Sequence, residues 1–213
     1  LSWAFCFGFS TSYMPHKEDS FQSLFQLLTP KPFLDKSDLE TNLTYVNFET
    51  ASGLLTVEKY ENLLSMDFPS RKPVRTDISE ILIKALGIKP REVFKSRDLL
   101  AVFDNESQIK EMKPDFEKLK QIKDGFAVIV SAQGDSADFV SRFFAPNAGV
   151  SEDPVTGSAH CTLIPFWAER LGKSKLHAYQ LSSRGGELFC EDMEERVKIS
   201  GNAVLYSRGE VYL

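Results

Sequence analysis

Asp153, Gly157 and Ser158 fall within one short run, Gly149-Val150-Ser151-Glu152-Asp153-Pro154-Val155-Thr156-Gly157-Ser158-Ala159-His160. An acid on a turn stiffened by Pro154 is followed at once by a Thr-Gly-Ser helix start. The first backbone N–H groups of a helix have no partner inside it, and with the helix dipole they favour an anion. Thr156 suits the N-cap position, Gly157 lets the backbone approach a ligand closely, and the Ser158 hydroxyl adds a donor. Asp153 can hold a substrate amine or hydroxyl, or move a proton if it is desolvated. The run lacks the glycine spacing and lysine of a phosphate-binding loop, so a small carboxylic acid is the expected ligand.

Each of these residues also has a purely architectural reading. Ser158 can serve as a helix-start residue, Asp153 as a turn former and Gly157 as a hinge. Arg184, in Arg184-Gly185-Gly186-Glu187, belongs to a bare turn or grips a carboxylate in bidentate fashion. His160 is expected to be a hydrogen-bonded or partly exposed helix residue, and His177 a structural strand residue. Cys161 beside His160 does not make a nucleophile pair, because adjacent helix positions do not face each other.

The elements that position this run follow from apolar periodicity. Alternation over 43–49, 54–59 and 63–68, with turns at Ala51-Ser52-Gly53 and Glu61-Asn62, predicts three antiparallel strands. After a polar connector at 70–75, a helix is expected from Thr76 or Asp77, with Glu80 completing a capping box and Gly87 as its stop. Strands are expected at 92–95 and 99–104, short charged helices at 107–112 and 116–122, and buried strands at 126–131 and 138–145. A helix over 158–171 then ends at Gly172, and Pro165 inside it should free the Cys161 carbonyl and bend the second half. Five strands close the chain, at 176–181, 187–191, 196–200, 203–207 and 210–213. Near the start, Phe21, Leu24, Phe25 and Leu28 have helical spacing, and Pro30 ends that segment. The pattern is α+β: an antiparallel or mixed sheet around one or two helices.

Composition narrows the function classes. The 213 residues are 42% hydrophobic and 26% charged, with a net charge of −5 and no basic stripe, which argues against nucleic acid as a partner. Cys6, Cys161 and Cys190 are widely spaced and read as reduced thiols of a cytoplasmic protein. The three histidines show no metal-ligand spacing. No apolar run is long enough to span a bilayer, and Leu1–Phe9 lacks the basic segment of a signal peptide. The chain opens on Leu1 rather than Met, as expected of a fragment or an isoform.

Ser141-Arg142-Phe143-Phe144-Ala145-Pro146, the Gly149–His160 run, Trp167-Ala168-Glu169-Arg170-Leu171-Gly172-Lys173 and Ser183-Arg184-Gly185-Gly186-Glu187 together resemble the PhzF-type phenazine-biosynthesis family. The hairpin Phe48-Glu49-Thr50-Ala51-Ser52-Gly53-Leu54-Leu55-Thr56-Val57 is similar too, so the resemblance covers roughly 41–213. The animal members, called phenazine-biosynthesis-like domain or MAWD-binding proteins, resemble the tail closely. The resemblance implies a diaminopimelate-epimerase-like fold, in which two α/β domains each wrap a sheet around a central helix with the active site between them. It also implies an isomerase that needs no metal or organic cofactor, in which a first-domain glutamate takes and returns a proton. Asp153 matches the family's second-domain acid, Ser158 its helix-start serine, and Gly157 lies between them.

The family's Asn-Leu-Ser-Glu-Thr-type segment and its Gly-His-Ala-Thr helix start do not occur in this sequence, and His160 does not replace the missing histidine. The expected organisation is an unassigned segment 1–40, residual first-domain strands 41–69, a second domain 70–195, and C-terminal strands 196–213 returning toward the first. The expected function is a cofactor-independent proton shift on a small carboxylic acid, with Asp153 as the catalytic group, impaired by loss of the base. Asp153, Gly157, Ser158 and Arg184 are the expected ligand contacts. A non-catalytic interaction module, or a half-enzyme completed by another polypeptide, is the rival reading. The expected partners are a small carboxylic acid and, as a homodimer or protein complex, a second copy or another protein.

Overall fold

The computed structural model describes residues 45–50, 53–60 and 63–202. The expected helix at 21–28, the segment 1–40 and the strands beyond 202 lie outside the described residues.

Among the described residues, one mixed sheet of twelve strands organises the fold. Its strands are β1 (Tyr45–Thr50), β2 (Gly53–Tyr60), β3 (Leu63–Pro69), β4 (Val74–Thr76), β5 (Glu92–Lys95) and β6 (Leu99–Val102). They continue as β7 (Val128–Gln133), β8 (Phe139–Ala145), β9 (Val150–Asp153), β10 (Lys175–Gln180), β11 (Gly186–Met193) and β12 (Arg196–Asn202). The strand order is β1-β2-β3-β12-β11-β10-β8-β7-β6-β5-β4, with β9 paired beside β8. Only the β6/β7 and β8/β10 pairings are parallel; the others are antiparallel.

Helix α4 (Gly157–Leu171) fills the concave side of this sheet, and every residue from Ala159 to Ala168 is buried. It packs against Leu100 and Val102 of β6, Ile129 of β7, Phe139 and Phe143 of β8, Leu188 and Cys190 of β11, and Val197 and Ile199 of β12. The other face of β6–β8 presents Leu99, Ala101, Val128, Val130, Val140 and Phe144 to α1 (Glu80–Leu86), α2 (Glu106–Glu111) and α3 (Phe116–Leu119). Strands covered on both faces need apolar residues at successive positions, which is why 128–130 reads as a continuous apolar run rather than an alternation.

Several boundaries differ from the sequence-based expectation, each for a physical reason. Val74–Thr76 is not connector but the short strand β4, paired with Val93–Lys95, so α1 cannot begin at Thr76 or Asp77. It begins at Glu80, with Ser79 as N-cap accepting a hydrogen bond from the Leu82 N–H; Glu80 is then the first helical residue and closes no capping box. The expected stop at Gly87 is present, with φ of 73°. The strand expected at 126–131 is shifted to Val128–Gln133, and β9 was not foreseen.

Pro165 lies inside α4 without ending it. The Cys161 carbonyl that it frees accepts a hydrogen bond from the Arg71 N–H at 2.9 Å, so the loss is made good from outside the helix. Beyond Pro165, Trp167 lies parallel to Phe139, and its Nε1–H donates to Ser131 Oγ at 2.9 Å.

Candidate functional site

Strand β9 delivers Asp153 to the N-terminal end of α4. Its register is held by Arg142 of β8, which donates to both Glu152 oxygens at 2.7 and 3.0 Å. The same guanidinium donates to the carbonyls of Ile109 and Met112, tying β8 and β9 to the end of α2.

Asp153 is 8% exposed. Its Oδ2 accepts from Thr156 Oγ1 at 2.6 Å, whereas Oδ1 is buried with no partner among the described residues. Burial pushes the carboxyl up to about 6, against the opposing hydrogen bond from Thr156 and the positive charge of Arg184. Gln180, at the end of β10, locks this turn. Its Nε2 donates to the Asp153 carbonyl at 2.7 Å and to Thr156 Oγ1 at 3.1 Å, and its Oε1 accepts from the Thr156 N–H at 2.8 Å. Thr156 is the N-cap residue by position, but its hydroxyl is committed to Asp153 and caps no helical N–H.

The turn that carries Arg184 packs on the motif, while Arg184 itself is exposed and acts on Asp153 through its charge. Ser182 Oγ donates to the Pro154 carbonyl at 2.8 Å and accepts from the Gly185 N–H at 3.0 Å. Gly185 has φ of 73°, which favours glycine. Gly186 faces Val155 so closely that an added Cβ would lie 2.2 Å from Val155 Cγ2. Two glycines in succession therefore answer two separate demands, one of torsion and one of space.

His160 is fully buried. Its Nδ1 lies 2.7 Å from the Thr156 carbonyl, to which it donates, and burial lowers the imidazole to about 4. It is a neutral, hydrogen-bonded helix residue and is not partly exposed. His177 lies on the outer sheet face, 2.9 Å from Glu187 Oε1 and stacked on Phe189. Cys161 and Cys190 are free and buried, with the Cys161 thiol raised to about 11 by desolvation. Among the described residues no three His, Cys, Asp or Glu side chains converge as a metal-ligand set.

The structure thus gathers Asp153, Gly157 and Ser158 at one end of α4, with the charge of Arg184 acting on Asp153. Sequence reasoning missed Gln180, Arg142 and Arg97, whose Nη2 donates to Ser158 Oγ at 3.0 Å. Gln180 had a legible signal, because it shares the inward face of its strand with Leu176 and Ala178 and so is a polar residue on a core period. Arg97 had none, being 61 positions from Ser158.

A mixed sheet wrapped around a buried central helix, with an acid placed at that helix's N-terminus, is the α+β architecture expected of a diaminopimelate-epimerase-like protein. The family model described as phenazine biosynthesis-like protein matches residues 32–209, and the chain belongs to this PhzC-PhzF family. An uncharacterized isomerase of Pseudomonas aeruginosa is 47% identical over 79% of this chain and 64% of its own length. The human phenazine biosynthesis-like domain-containing protein is 35% identical over 81% of this chain and 66% of its own. The chain thus spans a little under two thirds of the length of these relatives. A crystal structure of a PhzF-family phenazine biosynthesis protein from Enterococcus faecalis superposes with a TM-score of 0.79 at 45% identity, covering 83% of this chain and 68% of that one. A PhzF-family structure from Bacillus anthracis shares the fold, with a TM-score of 0.63 at 18% identity. No helix among the described residues is long and apolar enough to cross a membrane.

Proposed function

We propose that this chain carries the carboxylate-gripping half of an isomerase site that shifts a proton within a small carboxylic acid without a cofactor. The observation behind this reading is the state of Asp153. It is a desolvated carboxyl with one oxygen held by Thr156 and the other buried without a partner among the described residues, and burial pushes it up to about 6. Such a group exchanges a proton near neutrality and can hydrogen-bond a ligand in either form. The N–H groups following Gly157 and the Ser158 hydroxyl supply donors for the ligand carboxylate, with Arg184 as an exposed counter-charge.

The proton-abstracting glutamate of the family has no counterpart motif in these 213 residues, so the chain alone is expected to turn over slowly or not at all. Loss of a general base costs about 10²–10⁴-fold. A complementing polypeptide that brings such a glutamate should restore the rate. The direct test is deuterium incorporation into small unsaturated carboxylic acids in D2O, followed by NMR, with and without a family first domain. Exchange should require the added domain and fall about 100-fold or more in Asp153→Ala and Ser158→Ala. Exchange that survives both substitutions would show the site lies elsewhere.

A further inference from the structure

Arg97 sits in Ser96-Arg97-Asp98, the connection from β5 to β6, and touches the site helix at Ser158. Its Nε and Nη2 donate to the two carboxylate oxygens of Asp98 at 3.2 and 2.9 Å, and the same Nη2 donates to Ser158 Oγ at 3.0 Å. Asp98 has no solvent exposure. The Phe126 ring supports the guanidinium, 5.0 Å from Cζ to the ring centroid. One turn further along α4, Thr162 Oγ1 bonds Ser96 Oγ at 3.0 Å, so the connection holds the same helix face at two points.

The chemistry of this contact is directional. A guanidinium has donors only, so Ser158 Oγ must accept from it. The Ser158 hydrogen is then the one left to give. Burial raises the Asp98 carboxyl above its ordinary value, opposed by the hydrogen bond and charge of Arg97 and by the charge of Arg71. Two cations against one anion leave a positive surplus beside a helix end that already favours negative charge.

We propose that Arg97, anchored by buried Asp98, is a positioning residue that fixes the Ser158 hydroxyl as a hydrogen-bond donor toward a ligand carboxylate. This rests on the reading of Ser158 as a ligand group given above.

The test uses the full chain labelled with ¹⁵N and benzoate as the probe, following the amides of Gly157–His160, with the melting temperature of every variant. Arg97→Gln and Ser158→Ala should each weaken benzoate about tenfold, the loss of one charge-assisted hydrogen bond. The double variant should bind no more weakly than Ser158→Ala alone, because Arg97 acts through that hydroxyl. Asp98→Asn should reproduce the Arg97→Gln loss. Should Arg97→Gln fail to fold, Arg97→Lys keeps the charge without the planar fork and should still lose the affinity. Full affinity in the Arg97 variant overturns the proposal. A penalty that persists in the Ser158→Ala background also overturns it, by showing that Arg97 meets the ligand itself. Benzoate that fails to bind the wild-type chain, or that binds Ser158→Ala and Asp153→Asn as tightly as wild type, refutes the site as well. A Ser158→Ala loss without an Arg97→Gln loss refutes only the positioning role.

Discussion

Thr156 ties together two buried titratable groups. Its hydroxyl donates to Asp153, and its carbonyl accepts from His160 Nδ1. The two respond to pH in opposite senses. Asp153 is raised from 3.8 to about 6, so the folded state holds a proton that the unfolded chain releases, and stability falls as pH rises through that window. His160 is lowered from 6.5 to about 4, so the unfolded chain binds a proton that the folded state refuses, and stability falls as pH drops through that window. Between about 4 and 6 the two slopes, each about 1.4 kcal/mol per pH unit, oppose and nearly cancel. Asp153→Asn should unmask the histidine. Relative to wild type, its unfolding free energy should gain a positive slope of that size across this window, reaching about 3 kcal/mol of added stability by pH 7. Urea denaturation at a series of pH values checks this; parallel profiles for the two proteins would place the Asp153 carboxyl at an ordinary pKa.

Among the elements, α4 was legible because its signals are local: Thr156 before it, a buried run within it and Gly172 after it, where φ is 67°. Gly87 was legible for the same reason, and so was the Asp153–Ser158 run, whose parts lie in a single turn. Strand β4 was not, since three residues containing Arg75 and Thr76 become a strand only by pairing with β5. Arg97 escaped on the same ground, because a contact between β5–β6 and α4 has no trace in either segment. The Ser182–Gly186 turn is an intermediate case: its glycines mark a turn, but only packing shows that Gly186 is there for Val155. Gly186→Ala should therefore destabilise the protein by about 1–3 kcal/mol through overpacking, and Val155→Ala should recover most of that loss in the double variant. Thermal denaturation of the four proteins of this cycle measures the coupling. Additive losses would mean that Gly186 is needed for its backbone rather than for space.

At the scale of the molecule, β12 is the strand that joins β1–β3 to the rest of the sheet, pairing along its length from Arg196↔Pro69 to Asn202↔Leu63. The clasp is reinforced on the outer face by the Arg196–Asp67 and Lys198–Glu58 ion pairs and by Ser65 with Ser200 at 2.7 Å. Ser200→Pro, which breaks the ladder in an interior strand, should raise amide exchange in β1–β3 about tenfold or more while β6–β8 keep their protection. Exchange rising equally throughout would mean that the sheet opens as one unit. Beside this clasp, the Ser70 N–H donates to the Glu195 carbonyl at 2.9 Å, and the Arg71 N–H repairs the α4 carbonyl freed by Pro165. The crossing from β3 to β4 is thus pinned at successive residues, once to a sheet turn and once to the middle of the site helix. Loops ordinarily absorb insertions at little cost. This one cannot lengthen next to Pro69 without pulling a backbone donor off α4, whereas the exposed turn around Asp135 has no such tie to the helix. Over evolutionary time, length variation should collect at that turn and stay out of 69–72, so the residue count of this crossing becomes as much a signature of the protein as the motif it supports.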